Sequence, residues 1–271
     1  MTLQDVLTKI DHDLPQATER LLTLLRIPSI STDPSYKDAC ETAADWLVSD
    51  LLSMGVTAEK RATPGHPMVV GHIGQGAPHV LFYGHYDVQP VDPVELWDSD
   101  PFDPQLQDTS GGRVIRGRGS SDDKGQLMTF IEACRAWQAV HGSLPCKITF
   151  FFEGEEESGS PSLVPFLQKN KAELSADLAL ICDTGLFESR TPAIVTMLRG
   201  NLCEEIVITG ANKDLHSGMF GGIAINPIRV LSRILSGLHD DHGRITLPGF
   251  YDGVSPLTES LRSQWKGLNF D

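Results

Sequence analysis

Four segments of the 271-residue chain carry side chains that could hold a metal ion: Gly84-His85-Tyr86-Asp87, Ser121-Asp122-Asp123-Lys124-Gly125, Glu153-Gly154-Glu155-Glu156-Glu157 and Cys182-Asp183. Each follows or borders an apolar run of the kind that forms a buried strand. If those strands lie side by side, one imidazole and several carboxylates gather at a single sheet edge. Two carboxylates about 4 Å apart repel by roughly 4 kcal/mol at an effective dielectric of about 20, so such a group calls for a cation or a proton among them. Mixed imidazole and carboxylate ligands suit zinc, with manganese or cobalt as alternatives. The pattern predicts a metallohydrolase, and it rests on the four segments together because each has a structural alternative. His85 could be a loop histidine, Asp122 could cap the helix that follows it, and the Glu153 to Glu157 run could be a solvated acidic loop. That last run directly follows Ile148-Thr149-Phe150-Phe151-Phe152, which is apolar enough to demand a core position.

The elements that must position these residues alternate between helix and strand. Leu14, Leu21, Leu22 and Leu25 lie on one helix-period stripe, and Ala43, Ala44, Trp46, Leu47 and Leu51 on another that Gly55 should end. Strands are expected at Met68 to Ile73, Val80 to Tyr83, Ile148 to Phe152, Leu178 to Ile181 and Ala193 to Leu198. Helices are expected over Gly125 to Val140 and Ser162 to Asn170. This order predicts an α/β fold with a mostly parallel sheet flanked by helices, in which ligands collect beyond the carboxyl ends of the strands. After Arg199-Gly200 the character changes. Leu202 to Thr209 alternates apolar with polar residues, and a helix is expected from Pro227 to Leu238. We therefore read a metal-binding domain over 1–198 and the start of a smaller α+β domain over 199–271.

Composition narrows the function. With 22 basic and 36 acidic residues the formal charge is −14, which argues against nucleic acid or an anionic membrane as partner. The chain has no run of 18 apolar residues and its Met1-Thr2-Leu3-Gln4-Asp5 start is not that of a signal peptide, so a soluble, cytoplasmic protein is expected. The five cysteines (Cys40, Cys134, Cys146, Cys182, Cys203) include no Cys-x-x-Cys pair and read as buried free thiols. Gly117-Arg118-Gly119 ahead of Lys124 lacks the Gly-Lys-Ser/Thr of a phosphate loop, and Asp122 and Asp123 would repel phosphate. His12, His66, His72, His79, His141, His239 and His242 read as structural or exposed.

Four blocks, in order, resemble the co-catalytic zinc aminoacylase and dipeptidase family of metallopeptidases (metallopeptidase family 20). They are Gly84-His85-Tyr86-Asp87-Val88-Gln89-Pro90, Gly117 to Gly125, Glu156-Glu157-Ser158-Gly159-Ser160 and Asp214-Leu215-His216-Ser217-Gly218. The resemblance implies two divalent ions: His85 and Asp183 on one, Asp122 bridging both, and Glu157 on the second. It also implies that Asp87 accepts the other ring N–H of His85, and that Glu156 is the general base toward a water attacking an amide carbonyl. His216 would lie in a lid and dimerisation domain and reach a neighbouring subunit to stabilise the oxyanion, which implies a homodimer.

One departure matters. The family takes a further histidine for the second ion from a segment near the C-terminus, and this sequence stops before it. The second ion keeps only Asp122 and Glu157, so the chain is expected to be a fragment of a dipeptidase-like enzyme with impaired activity. Trp97-Asp98-Ser99-Asp100-Pro101-Phe102 and Asp122-Asp123-Lys124-Gly125 resemble the dipeptidase branch, making a small peptide the expected substrate. An N-acyl amino acid deacylase or desuccinylase is the alternative, and a metal-binding or dimerising remnant without activity is the alternative of another class.

Overall fold

The computed structural model describes residues 2–188 and 191–268. Seven strands form in chain order: β1 (Thr57–Arg61), β2 (Met68–Ile73), β3 (His79–His85), β4 (Gln105–Thr109), β5 (Gly112–Arg116), β6 (Lys147–Glu153) and β7 (Leu178–Ile181). Five of them make one sheet in the order β1-β2-β6-β3-β7, while β4 and β5 form a separate hairpin. β6, β3 and β7 are parallel neighbours, and β2 runs antiparallel to both β1 and β6, so β2 opposes the other four strands.

The helices of this part of the chain are α1 (Leu3–Leu25), α2 (Lys37–Ser53), α3 (Lys124–His141), α4 (Leu163–Lys169) and α5 (Lys171–Leu174). Successive side chains of a strand point to opposite faces, and β6 shows why its run is apolar throughout. Phe150 and Phe152 pack with Leu47, Leu51, Phe82, Leu127 and Ile131 on the face covered by α1 to α3. Phe151 packs with Met68, Val70 and Leu174 on the other face, under α4 and α5. A strand buried on both sides loses the alternation of a half-exposed one.

Local signals fix the helix ends. Thr2 and Asp5 make a reciprocal capping box at the start of α1. Gly55 takes φ +76° just past α2, where a side chain would be strained. Arg20 reaches Glu132 at 2.6 and 2.7 Å, and Arg135 reaches Asp50 at 2.7 and 2.8 Å, which ties α1, α2 and α3 together.

The chain divides into two compact units, Met1–Thr196 and Met197–Asp271. The second holds α6 (Ser217–Phe220), α7 (Pro227–Gly237) and α8 (Glu259–Lys266). Asn226 caps α7 by accepting the Ile228 N–H at 2.9 Å, with Pro227 at the first helical position. The expected strand at Ala193 to Leu198 does not form, and the alternating segment Leu202 to Thr209 is not a strand either. No described strand pairs with either segment, and Ile194 and Leu198 are 90% and 86% exposed. A strand needs a neighbour for its backbone groups, and side-chain pattern alone cannot supply one. Of the cysteines, Cys40 and Cys134 are buried, Cys146 and Cys182 are partly so, and Cys203 is exposed, contrary to the expectation of buried thiols throughout. No helix among the described residues is long and apolar enough to cross a membrane.

Two outcomes follow from this packing. Phe150→Ala should destabilise the chain by about 3–5 kcal/mol, and Leu106→Ala on the exposed hairpin by no more than about 0.5 kcal/mol, both read from urea midpoints. Across the sheet, the Arg61 guanidinium grips Glu173 at 2.6 and 2.7 Å and holds its carboxyl at about 2. Because that value lies below the unfolded one, the pair's contribution is present above about pH 4.5 and is lost as pH falls toward about 2. Glu173→Gln should flatten that part of the stability profile, and an unchanged acid slope would show that the pair contributes nothing.

Candidate metal centre

Because β3, β6 and β7 are parallel, their carboxyl ends reach the same edge of the sheet, with His85 opposite Glu153 and Tyr83 opposite Ile181. His85, the last residue of β3, is fully buried. Its Nε2 lies 3.1 Å from Asp122 Oδ1 and 3.7 Å from Asp183 Oδ2. Asp122 comes from the loop before α3 and Asp183 from the loop after β7. Ligating atoms of His85, Glu156 and Asp183 all lie within 4.8 Å of one another. The structure therefore brings His85, Asp122, Asp183 and Glu156 into one cluster.

Asp87 lies beneath it. The Nδ1 of His85 is 3.0 Å from the Asp87 carbonyl and 3.4 Å from its carboxylate. That holds one ring proton at Nδ1 and turns Nε2 toward the acids. The Asp87 carboxylate also accepts the N–H groups of Glu156 at 3.2 Å and Glu157 at 3.0 Å, a task not visible in the sequence. Glu157 turns its carboxylate to Gln89, whose Nε2 donates at 2.6 Å. His216 belongs to the other unit, where its Nδ1 accepts the Gly218 N–H at 3.1 Å.

Several supporting residues escaped the sequence reading. Asp123, also fully buried, accepts the His85 N–H at 3.1 Å. A Cβ on Gly84 would come within 2.9 Å of that carboxylate, which is why glycine precedes the histidine. Glu155 accepts the N–H groups of His66 and Ser162, both at 3.0 Å, and so pins both flanks of the Glu156-Glu157 turn. Glu153 accepts from Tyr83 and Ser160. One oxygen each of Asp123 and Glu153 is buried without a protein partner.

The electrostatics match the crowding. Burial pushes the carboxyls of Glu156, Glu157 and Asp183 upward, with neighbouring acids adding to it. Burial also raises Asp123, to about 7. For His85, burial would lower the imidazole, but Asp87, Asp123 and Glu156 outweigh it and bring it to about 10. An imidazolium thus offsets one of the acids' negative charges in the cation-free chain. A divalent ion suits the same donors: one imidazole nitrogen and several carboxylate oxygens, crowded and pushed toward protonation.

The family model of peptidase family M20/M25/M40 matches residues 81–263. The chain belongs to this family. It is 32% identical to the Cys-Gly metallodipeptidase DUG1 of Candida albicans over 287 residues, covering 100% of this chain and 59% of that protein. To the human Beta-Ala-His dipeptidase it is 36% identical over 215 residues, 78% of this chain and 42% of that protein. The solved structure of the dipeptidase Dug1p from Saccharomyces cerevisiae superimposes with a TM-score of 0.74 at 29% identity, over 99% of this chain and 59% of that one. The chain thus spans 59% of the length of these DUG1 relatives. The α/β fold with its central mixed sheet is the M20 fold.

A metal at this cluster could take only the neutral Nε2 of His85. Zinc binding at about pH 8 should therefore release about one proton, because His85 titrates at about 10 in the cation-free chain. Calorimetry in buffers of different ionisation enthalpy measures it, and a heat independent of buffer would contradict the imidazolium.

Proposed function

We propose that this chain carries the catalytic centre of a metal-dependent peptidase that hydrolyses the amide bond of dipeptides. The observation that carries the proposal is the convergence of His85 Nε2, Asp122, Asp183 and Glu156 beyond the parallel strands. Relatives named as dipeptidases support the substrate class. In this reading His85, Asp183 and Asp122 would hold one ion and Asp122 and Glu157 a second, with Asp87 keeping the His85 ring in its ligating tautomer. Two divalent ions, zinc or else manganese or cobalt, would supply polarisation of the amide carbonyl and acidification of the attacking water.

The side chains divide the remaining work. Glu156 takes a proton from the water at its carboxylate and returns it to the leaving amine. Its pKa, raised by burial, favours that exchange. In this reading Glu157 would turn from Gln89 to an ion while Glu156 serves the water, and Asp87 fixes the backbone of both by accepting their N–H groups. His216 would stabilise the oxyanion from a neighbouring subunit of a homodimer, an assignment supported by the resemblance of its Leu-His-Ser-Gly block alone.

Glu156→Gln in the metal-loaded chain should cut turnover by about 10²–10⁴-fold with the metal retained, whereas Glu157→Ala should lose one ion by elemental analysis. Undiminished turnover in Glu156→Gln would overturn its role. Cys-Gly and β-Ala-His, the dipeptides in the relatives' names, head the substrate panel, against acetyl- and succinyl-amino acids. Cleavage of only the acylated amino acids would replace the dipeptidase reading with the deacylase one.

A further inference from the structure

The loop that carries Asp183 leaves β7, an edge strand whose four residues are all exposed. Within it the Thr184 N–H turns back to the Cys182 carbonyl at 2.6 Å. Among the described residues, the one hydrogen bond that reaches Cys182 to Leu186 from another element comes from Gln126, in the first turn of α3. The same side-chain nitrogen makes a second bond. Gln126 Nε2 donates to the Thr184 carbonyl at 3.1 Å and to the Ser121 carbonyl at 2.6 Å.

Those two carbonyls flank the metal-binding carboxylates: Ser121 precedes Asp122 and Thr184 follows Asp183. A carboxamide NH₂ has two hydrogens, and here each serves a different loop. Both carboxylates are themselves loosely held, with side chains 57% and 35% exposed. Gln126, Asp122 and Asp183 line one open cavity of about 890 Å³, so no packing on that side would hold the loops at a set distance.

We infer that Gln126 is a positioning residue that sets the separation of Asp122 and Asp183, and through it the affinity and geometry of the ion they share with His85. The inference rests on the metal-centre reading. Gln126 itself touches neither the ion nor substrate. The substitutions separate bridging from bulk: Gln126→Met keeps the length without a donor, and Gln126→Glu sets a carboxylate against two carbonyl oxygens.

The test is a cobalt(II) titration of the wild-type chain, both Gln126 variants and Asp183→Ala, followed by visible absorption. Metal-free melting curves and amide exchange at Thr184 and Gly185 accompany it. Gln126→Met and Gln126→Glu should each weaken the first cobalt by about 10–100-fold and shift its absorption bands. Exchange at the Asp183 loop should quicken while the melting temperature stays at the wild-type value. Either variant that folds answers the question. Wild-type cobalt affinity and spectrum in a folded Gln126 variant would overturn the brace and leave the metal centre standing. A wild-type chain that binds no cobalt would overturn the metal centre and the brace together.

Discussion

Carboxylates held at one rim of a sheet raise the energy of the folded chain unless positive charge lies among them, and the first unit is arranged around that demand. The parallel strands β3, β6 and β7 deliver acids and an imidazole to one edge, where His85 is fully buried and Asp122 and Asp183 stand partly exposed. Without a cation, His85 supplies the positive charge as an imidazolium whose pKa rises to about 10 against the pull of burial. The chain's formal charge of −14 adds to the background repulsion. A divalent ion at these donors would relieve the same repulsion with twice the charge and leave the imidazole free to act as a ligand.

The acidic run after β6 shows how one stretch divides its labour. Glu153 is turned into the core toward Tyr83 and Ser160. Glu155 is buried too, clamping the His66 and Ser162 backbone from both oxygens. Only Glu156 and Glu157 are left half-exposed at the rim, and their own N–H groups are held by Asp87. A carboxylate that accepts backbone N–H groups is stabilised as an anchor. The carboxylates of Glu156 and Glu157 accept no backbone N–H among the described residues, Glu157 meeting the Gln89 side chain instead, and so can meet an ion or a proton.

Much of this was legible from residue types, for a definite reason. β2 and β7 fall where continuous apolar runs place them, and β3 and β6 extend those runs by one or two residues to include His85 and Glu153. The residues gathered in the cluster, His85, Asp122, Glu156 and Asp183, stood at the ends of such runs or just before a helix. What stayed hidden has little hydrophobic signature. β1 reads Thr-Ala-Glu-Lys-Arg, and the β4–β5 hairpin is mostly polar and exposed. These strands exist because a neighbour offers backbone hydrogen bonds, which no local pattern announces. Ala193 to Leu198 is the converse case, with strand-like residues and no described partner. Glu155 and Asp123 were hidden because an acid's role depends on which backbone N–H groups meet it, and those come from residues 89 and 38 positions away.

The Asp122 to Gln126 stretch carries this dependence on distant contacts furthest. Asp122 points to the cluster, Asp123 inward to the His85 backbone, and Gln126 across to the Asp183 loop. Lys124 is fully buried and donates to the carbonyls of Leu24 at 3.1 Å and Ile27 at 2.7 Å. Burial draws its ammonium down to about 7, yet the end of α1 is where a helix favours a cation. The carbonyls at the end of a helix carry its partial negative charge, and Lys124 meets Leu24 in the last turn of α1 and Ile27 just beyond it. Asp122 sits two residues from this anchor. α1 thereby anchors the residue two positions after Asp122, so an element outside the cluster helps to set where this loop enters α3.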